Sequence, residues 1–164
     1  MTNNAADADL NGSGKGGGID NASAISSTVT LQNSIVARNA ESVFFAPCSC
    51  RVPVDGDCAG TLDSNGNDIV FSKNCTINGT VTVADPRLGP LANNGGPTPT
   101  HALPAGSPAI DAGETPNCTG LLGAVLPTDQ RGFRRPANGG TALRCDIGAY
   151  EFYPLALHLP VIGR

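Results

Sequence analysis

The chain has no tryptophan, and aromatic residues make up only 4% of its 164 positions. Few large rings are available to fill an interior, so a core must be assembled from Val, Ile, Leu and Ala. Positive charge is scarce too. Ten Lys and Arg against 14 Asp and Glu give a net charge of −4 and a pI near 4.9. That balance argues against nucleic-acid binding, which needs clustered Lys and Arg to meet phosphate. The one dense basic group, Arg131, Arg134 and Arg135, has Asp129 just upstream. No run of about 18 apolar residues occurs, so no membrane-spanning helix is expected. There is no C-x-x-C pair, and His101 and His158 lie far from any cysteine cluster, which removes the usual zinc spacings. The glycines at 12, 14, 16, 17 and 18 follow no strand and open no helix, so they are not a phosphate loop.

What the chain has in abundance is glycine and proline, 21 and 13 residues, well above the usual background. Short strands joined by tight turns fit that profile, and the length suits one domain. From Gly16 to Asn39 the text is GGGIDNASAISSTVTLQNSIVARN, where Val29, Leu31 and Ile35 alternate with Thr28, Thr30 and Ser34. A period of two marks strands with one buried face. Asn33 falls in the inward series near a bend, where its amide is expected to stack on a neighbouring backbone. A second, degraded copy follows in residues 57–91, with Ile69, Phe71, Ile77, Val81 and Val83 as apolar positions. Ser64-Asn65-Gly66-Asn67 and Asn78-Gly79 are turn signals within it. Thr80-Val81-Thr82 echoes Thr28-Val29-Thr30, and in register the four threonines would form an outward grid; threonine is also favoured on any exposed strand face.

Between the copies, residues 41–57 carry Phe44, Phe45 and the PCSC cluster and read as an excursion. Two adjacent phenylalanines bind a sugar face or a partner in some proteins, but the plainer expectation is that they pack over the flank of their own core. Asp7, Asp9, Asn11 and Gly12 form D-x-D-x-N-G, the opening half of a calcium loop. Its closing acid is missing, since Gly18 stands at the twelfth position; the alternative is a plain solvated turn.

Residues 85–113, DPRLGPLANNGGPTPTHALPAGSPAIDAG, hold six prolines and five glycines, yet Leu88, Leu91, Leu103, Ala109 and Ile110 recur along them. Spaced apolar anchors define an ordered loop, because a disordered linker has no use for them. This string, together with TDQRGFRRP (Thr128–Pro136) and CDIGAYEF (Cys145–Phe152), resembles the C-terminal part of bacterial surface proteins built from right-handed parallel β-helix repeats, often labelled choice-of-anchor Q domains. The resemblance covers roughly residues 16–152. It implies an all-β fold: a short right-handed parallel β-helix of few coils with a loop-rich, disulfide-stapled C-terminal cap. The whole chain is then one domain. Residues 1–15 are a polar lead-in, 16–91 the coils, 92–152 the capping loops and final strand, and 153–164 an apolar tail.

Six cysteines suit an oxidising compartment. Sequence alone permits 15 pairings. Loop closure and the placement of cysteines in the related proteins point to Cys58 with Cys75 and Cys118 with Cys145, leaving Cys48 and Cys50 for a local or intermolecular link. The opening residues carry no secretory signal, so the expectation is a C-terminal piece of a longer exported protein. Asp111, Asp129, Arg131 and Asp146 are the charges expected to meet and fix the loop's path, with His101 as a further tie. The 85–113 loop is expected to cover the open end of the coils.

Function follows this architecture: a non-catalytic structural or adhesive module, secreted or on the cell surface, with a glycan or protein ligand as candidate partner. Two alternatives stand beside it. An uncovered first coil pairing with the apolar tail of another copy gives a head-to-tail fibre. A β-helix that binds or cleaves polysaccharide is the other, with Asp63, Asp68, His101, Asp111 and Arg131 as candidate groups, although no spacing sets two carboxylates on one strand face. The closing LPVIG lacks the threonine of an L-P-x-T-G sorting signal, since Ile162 occupies that place.

Overall fold

The computed structural model describes residues 1–6, 15–22, 27–114, 118–120, 123–137 and 144–154. They are almost entirely β and loop, with a 3-10 turn at Ala46–Cys48. Three short strands open the chain: β1 (Ile19–Asn21), β2 (Thr30–Leu31) and β3 (Ile35–Val36). A hairpin of β4 (Ala40–Phe45) and β5 (Cys50–Asp55) interrupts them. Then come β6 (Cys58–Ser64), β7 (Asp68–Val70), β8 (Thr76–Asn78) and β9 (Val81–Thr82). The small pair β10 (Leu91–Ala92) and β11 (Thr100–His101) follows.

Pairing of β6 is parallel throughout: β1 and β2 lie along one side of it and β8 along the other. A second parallel ladder runs β3, β7, β9. Thr61 meets Thr76, so the chain comes back to its own flank after 15 residues. The turn from β6 to β7 makes so short a return possible, because Asn67 sits at φ 55° and Gly66 at φ 105°. Gly60 is required by close approach: a Cβ there would lie 2.1 Å from the Asn21 carbonyl oxygen. The expectation of an all-β chain is met at that level. The sheets themselves are small and mixed, since β4–β5 and β10–β11 are antiparallel.

Alternation divides the apolar residues between two clusters. Val36 and Val70 point one way, joining Leu31, Cys58, Leu62 and Ile77. Their neighbours Ile35 and Ile69 point the other way and meet Leu103, Ala109 and Ile147. Both faces of β3 and β7 are therefore buried, which is why these strands read as unbroken apolar pairs. The second cluster also locates the proline-rich loop. Its anchors Leu103 and Ala109 pack on the flank of β3 and β7, and Arg38, just past β3, holds Asp85 at 3.1 Å. The loop thus braces the side of the strands, whereas the sequence placed it across their open end.

Other expectations change with register. Thr30 pairs with Asp63, which pairs with Asn78, whereas Thr82 pairs with Ile69. The threonines belong to different ladders and form no grid. Phe44 and Phe45, expected over the core, are 61% and 50% exposed on the hairpin. The lead-in is partly ordered into the fold: Thr2 and Ala5 bridge in parallel to Ala37 and Ala40. Asn33, at φ 49°, reaches the C-terminal layer rather than a neighbouring coil, donating to Thr119 O at 2.8 Å and accepting from Glu114 N at 2.9 Å.

Candidate functional site

Two features outside the first core cluster invite a functional reading: a buried charge network in the C-terminal layer and an open cavity beside it. The network starts in the DQRGF string. Asp129 Oδ1 accepts from the Arg131 and Phe133 amides at 2.8 and 3.0 Å, closing a tight loop that Gly132 completes at φ 87°. Its Oδ2 takes the Arg131 guanidinium at 2.7 Å and the Glu151 amide at 3.0 Å. Burial alone would raise the Asp129 carboxyl, but these donors outweigh it and hold it below its ordinary range. The Arg131 guanidinium lies 3.5 Å from the Tyr150 ring centre and 4.4 Å from that of Phe133, so its faces are covered by π-systems.

Glu151 forms the next link. Fully buried, it accepts from the Ala137 amide at 2.7 Å and the Asp146 amide at 3.2 Å, and it stands 3.5 Å from Arg135 Nε. Asp146 in turn accepts from the Asp111 amide at 2.8 Å and from Phe152 N. Burial, ahead of the nearby Glu151 and Asp111 charges, pushes the Asp146 carboxyl up to about 6, and burial likewise raises Glu151. Of the four residues singled out by sequence, Arg131 bonds Asp129 and the Asp111 amide bonds Asp146, while Arg131 also donates to Glu151 O at 2.5 Å. Glu151 and Arg135 complete the connection and were missed. Glu151 was detectable as a lone acid between Tyr150 and Phe152 in an apolar string.

A second polar staple joins segments flanking the strands. Asn39, buried, donates to Asp57 Oδ1 at 2.9 Å and accepts from Asn4 at 2.9 Å, while Ser72 N donates to Asp57 Oδ2. Asp68 is held by Ser34 N at 2.8 Å and by the Ser64 hydroxyl. Burial raises its carboxyl. Asp63 bonds Asn78 at 2.8 Å on the neighbouring strand. Asp63 is therefore engaged by a side-chain amide, Asp68 by a backbone amide and a hydroxyl, and the backbone amide of Asp111 donates to Asp146.

All six cysteines are paired: Cys58 with Cys75, Cys118 with Cys145, and Cys48 with Cys50 as a local bridge. Asp7, Asp9 and Asn11 lie outside the described residues. Among the described residues, no group of three His, Cys, Asp or Glu side chains is arranged to hold a metal ion. Among the same residues, no helix is long and apolar enough to cross a membrane.

The cavity, about 670 Å³, opens between the first residues, the β3 turn and the C-terminal layer. Ile35, Leu103 and Ile147 contribute apolar walls, and His101, Gln130 and Tyr150 contribute polar edges. His101 Nδ1 lies 2.7 Å from Gly89 O; a carbonyl only accepts, so this nitrogen carries the proton. Comparison with protein-family models, curated proteins and solved structures gives no match.

Proposed function

We propose that the chain is a non-catalytic structural or adhesive module of a secreted or cell-surface protein, built as the end of a short right-handed parallel β-helix. The observation that carries the reading is the stacked register, Thr30 to Asp63 to Asn78 on one ladder and Ile35 to Ile69 to Thr82 on the other. Parallel neighbours reached after a single short circuit are the repeat unit of a solenoid, and parallel crossovers are right-handed in nearly all proteins. The resemblance of the three C-terminal strings to choice-of-anchor Q domains supports the same architecture.

A solenoid must close off its exposed strand edges and faces. Here the C-terminal layer braces the β3–β7 flank, fastened by the Asp129, Glu151 and Asp146 network. Three bridges fit an oxidising compartment. A scaffold role is favoured over catalysis because Asp68, Asp129, Asp146 and Glu151 serve as acceptors for backbone amides. The adhesive half rests on the cavity, where an aromatic ring beside an amide and an imidazole suits a saccharide face.

Antibody labelling of intact cells and culture medium of the source organism tests the assignment. Signal on unpermeabilised cells or in the medium is expected. Confinement to the cytosol with free thiols overturns it. A glycan array tests adhesion, and release of reducing ends from pectin-like or alginate-like polymers would replace the scaffold reading with an enzymatic one.

A further inference from the structure

The three disulfides sit in different surroundings. Cys58, Cys118 and Cys145 are buried, and Cys58 belongs to the first core cluster. Cys48 and Cys50 are exposed at the tip of the β4–β5 hairpin, in a stretch where Val43, Phe44 and Phe45 are exposed as well. No residue of that tip belongs to either core cluster. The bridge spans a sequence separation of 2, so it closes a ring around Ser49 alone. Ser49 takes φ 49° and ψ 36°, a left-handed conformation unfavourable for a residue with a Cβ. A ring this small also removes little entropy from the unfolded chain, so the bridge contributes little to stability.

Opening the bridge need not open the hairpin. Phe45 still pairs with Cys50 at the end of the β4–β5 ladder, and Ser49 N donates to Ala46 O at 3.1 Å. The two sulfurs would stay close, which favours reclosure. Exposure, weak coupling to the core and a strained intervening residue are the properties of an exchangeable disulfide.

We propose that Cys48–Cys50 is a thiol–disulfide exchange site whose co-reactants are low-molecular-weight thiols. A thiolate attacks one of the two sulfurs and forms a mixed disulfide. The Cys48–Cys50 bond breaks, and its electron pair leaves on the other sulfur as a thiolate. A second thiolate resolves the mixed disulfide, so two thiols are oxidised to one disulfide and the site is reduced to a dithiol. A small-molecule disulfide runs the steps backwards and restores the bridge.

The oxidised full chain is incubated in graded mixtures of reduced and oxidised glutathione, quenched with an alkylating reagent and mapped by peptide mass spectrometry. Cys48 and Cys50 are expected to be labelled while the other two bridges remain intact, at a rate at least about tenfold faster. Cys48→Ser is expected to capture glutathione on Cys50. The double variant Cys48→Ser/Cys50→Ser should keep the wild-type near-ultraviolet circular dichroism and melting temperature. Simultaneous opening of all three bridges, resistance equal to that of the buried pairs, or unfolding of the double variant overturns the proposal.

Discussion

Replacing Glu151 by alanine tests whether the C-terminal layer is fastened by its charge network or merely laid on the β3–β7 flank. The carboxylate is fully buried and serves three partners: the Ala137 amide, the Asp146 amide and the Arg135 guanidinium. Each orphaned buried amide costs about 1–3 kcal/mol, and a buried cation left without its partner costs about 3–5 kcal/mol. These losses share atoms and do not add, so the expected total is about 3–5 kcal/mol. At about 2–4 °C per kcal/mol for a chain of this size, the melting temperature should fall by roughly 6–20 °C. Glu151→Gln keeps one acceptor and should fall in between. Asp63→Ala, which removes only a surface partner of Asn78, should stay within about 1 kcal/mol of wild type. Calorimetry with near-ultraviolet circular dichroism reads all three. A Glu151→Ala protein that melts within about 1 kcal/mol of wild type would refute the idea that this network fastens the layer.

Other consequences are open to measurement. Asp146 is shifted from 3.8 to about 6, so the folded state holds its proton more tightly than the unfolded chain. Its contribution, about 3 kcal/mol, is then present below about pH 4 and lost as pH rises through about 6. Glu151 acts in the same direction, while the contribution of Asp129 is lost only at lower pH, as its depressed carboxyl protonates. The melting temperature should therefore rise between about pH 7 and about pH 5, and Asp146→Asn should flatten that rise; a steady fall on acidification in wild type contradicts it. Ile69→Ala, at a fully buried site shared by strand and C-terminal layer, should cost about 2–5 kcal/mol, against about 0.5 kcal/mol or less for Phe44→Ser, both read by urea unfolding. Removing the Cys58–Cys75 bridge, which spans 17 residues, should cost about 3 kcal/mol, and thermal melting of the paired serine variant checks it.

Much of this architecture was legible in residue order because it depends on local chemistry. Alternation in TVTLQNSIV and the Asn-Gly turns announce short strands, since a pleated chain sends successive side chains to opposite faces. The string DQRGF announces its own loop, because Asp129 bonds the amides two and four residues on. What was illegible required knowing which strand lies beside which. A shift in register moves every partner, so Thr82 stands by Ile69 instead of Thr30.

Residue order alone accounts for an almost all-β chain, its turn positions and the local Asp129–Arg131 loop, all consequences of backbone preference and spacing. Long-range packing set the rest: the proline-rich loop braces a flank, Glu151 joins Asp146 to Arg135, and Phe44 and Phe45 stay in solvent. Those outcomes follow from burial. Which face receives a covering layer, and which acid loses its water, depends on contacts between segments far apart in the chain.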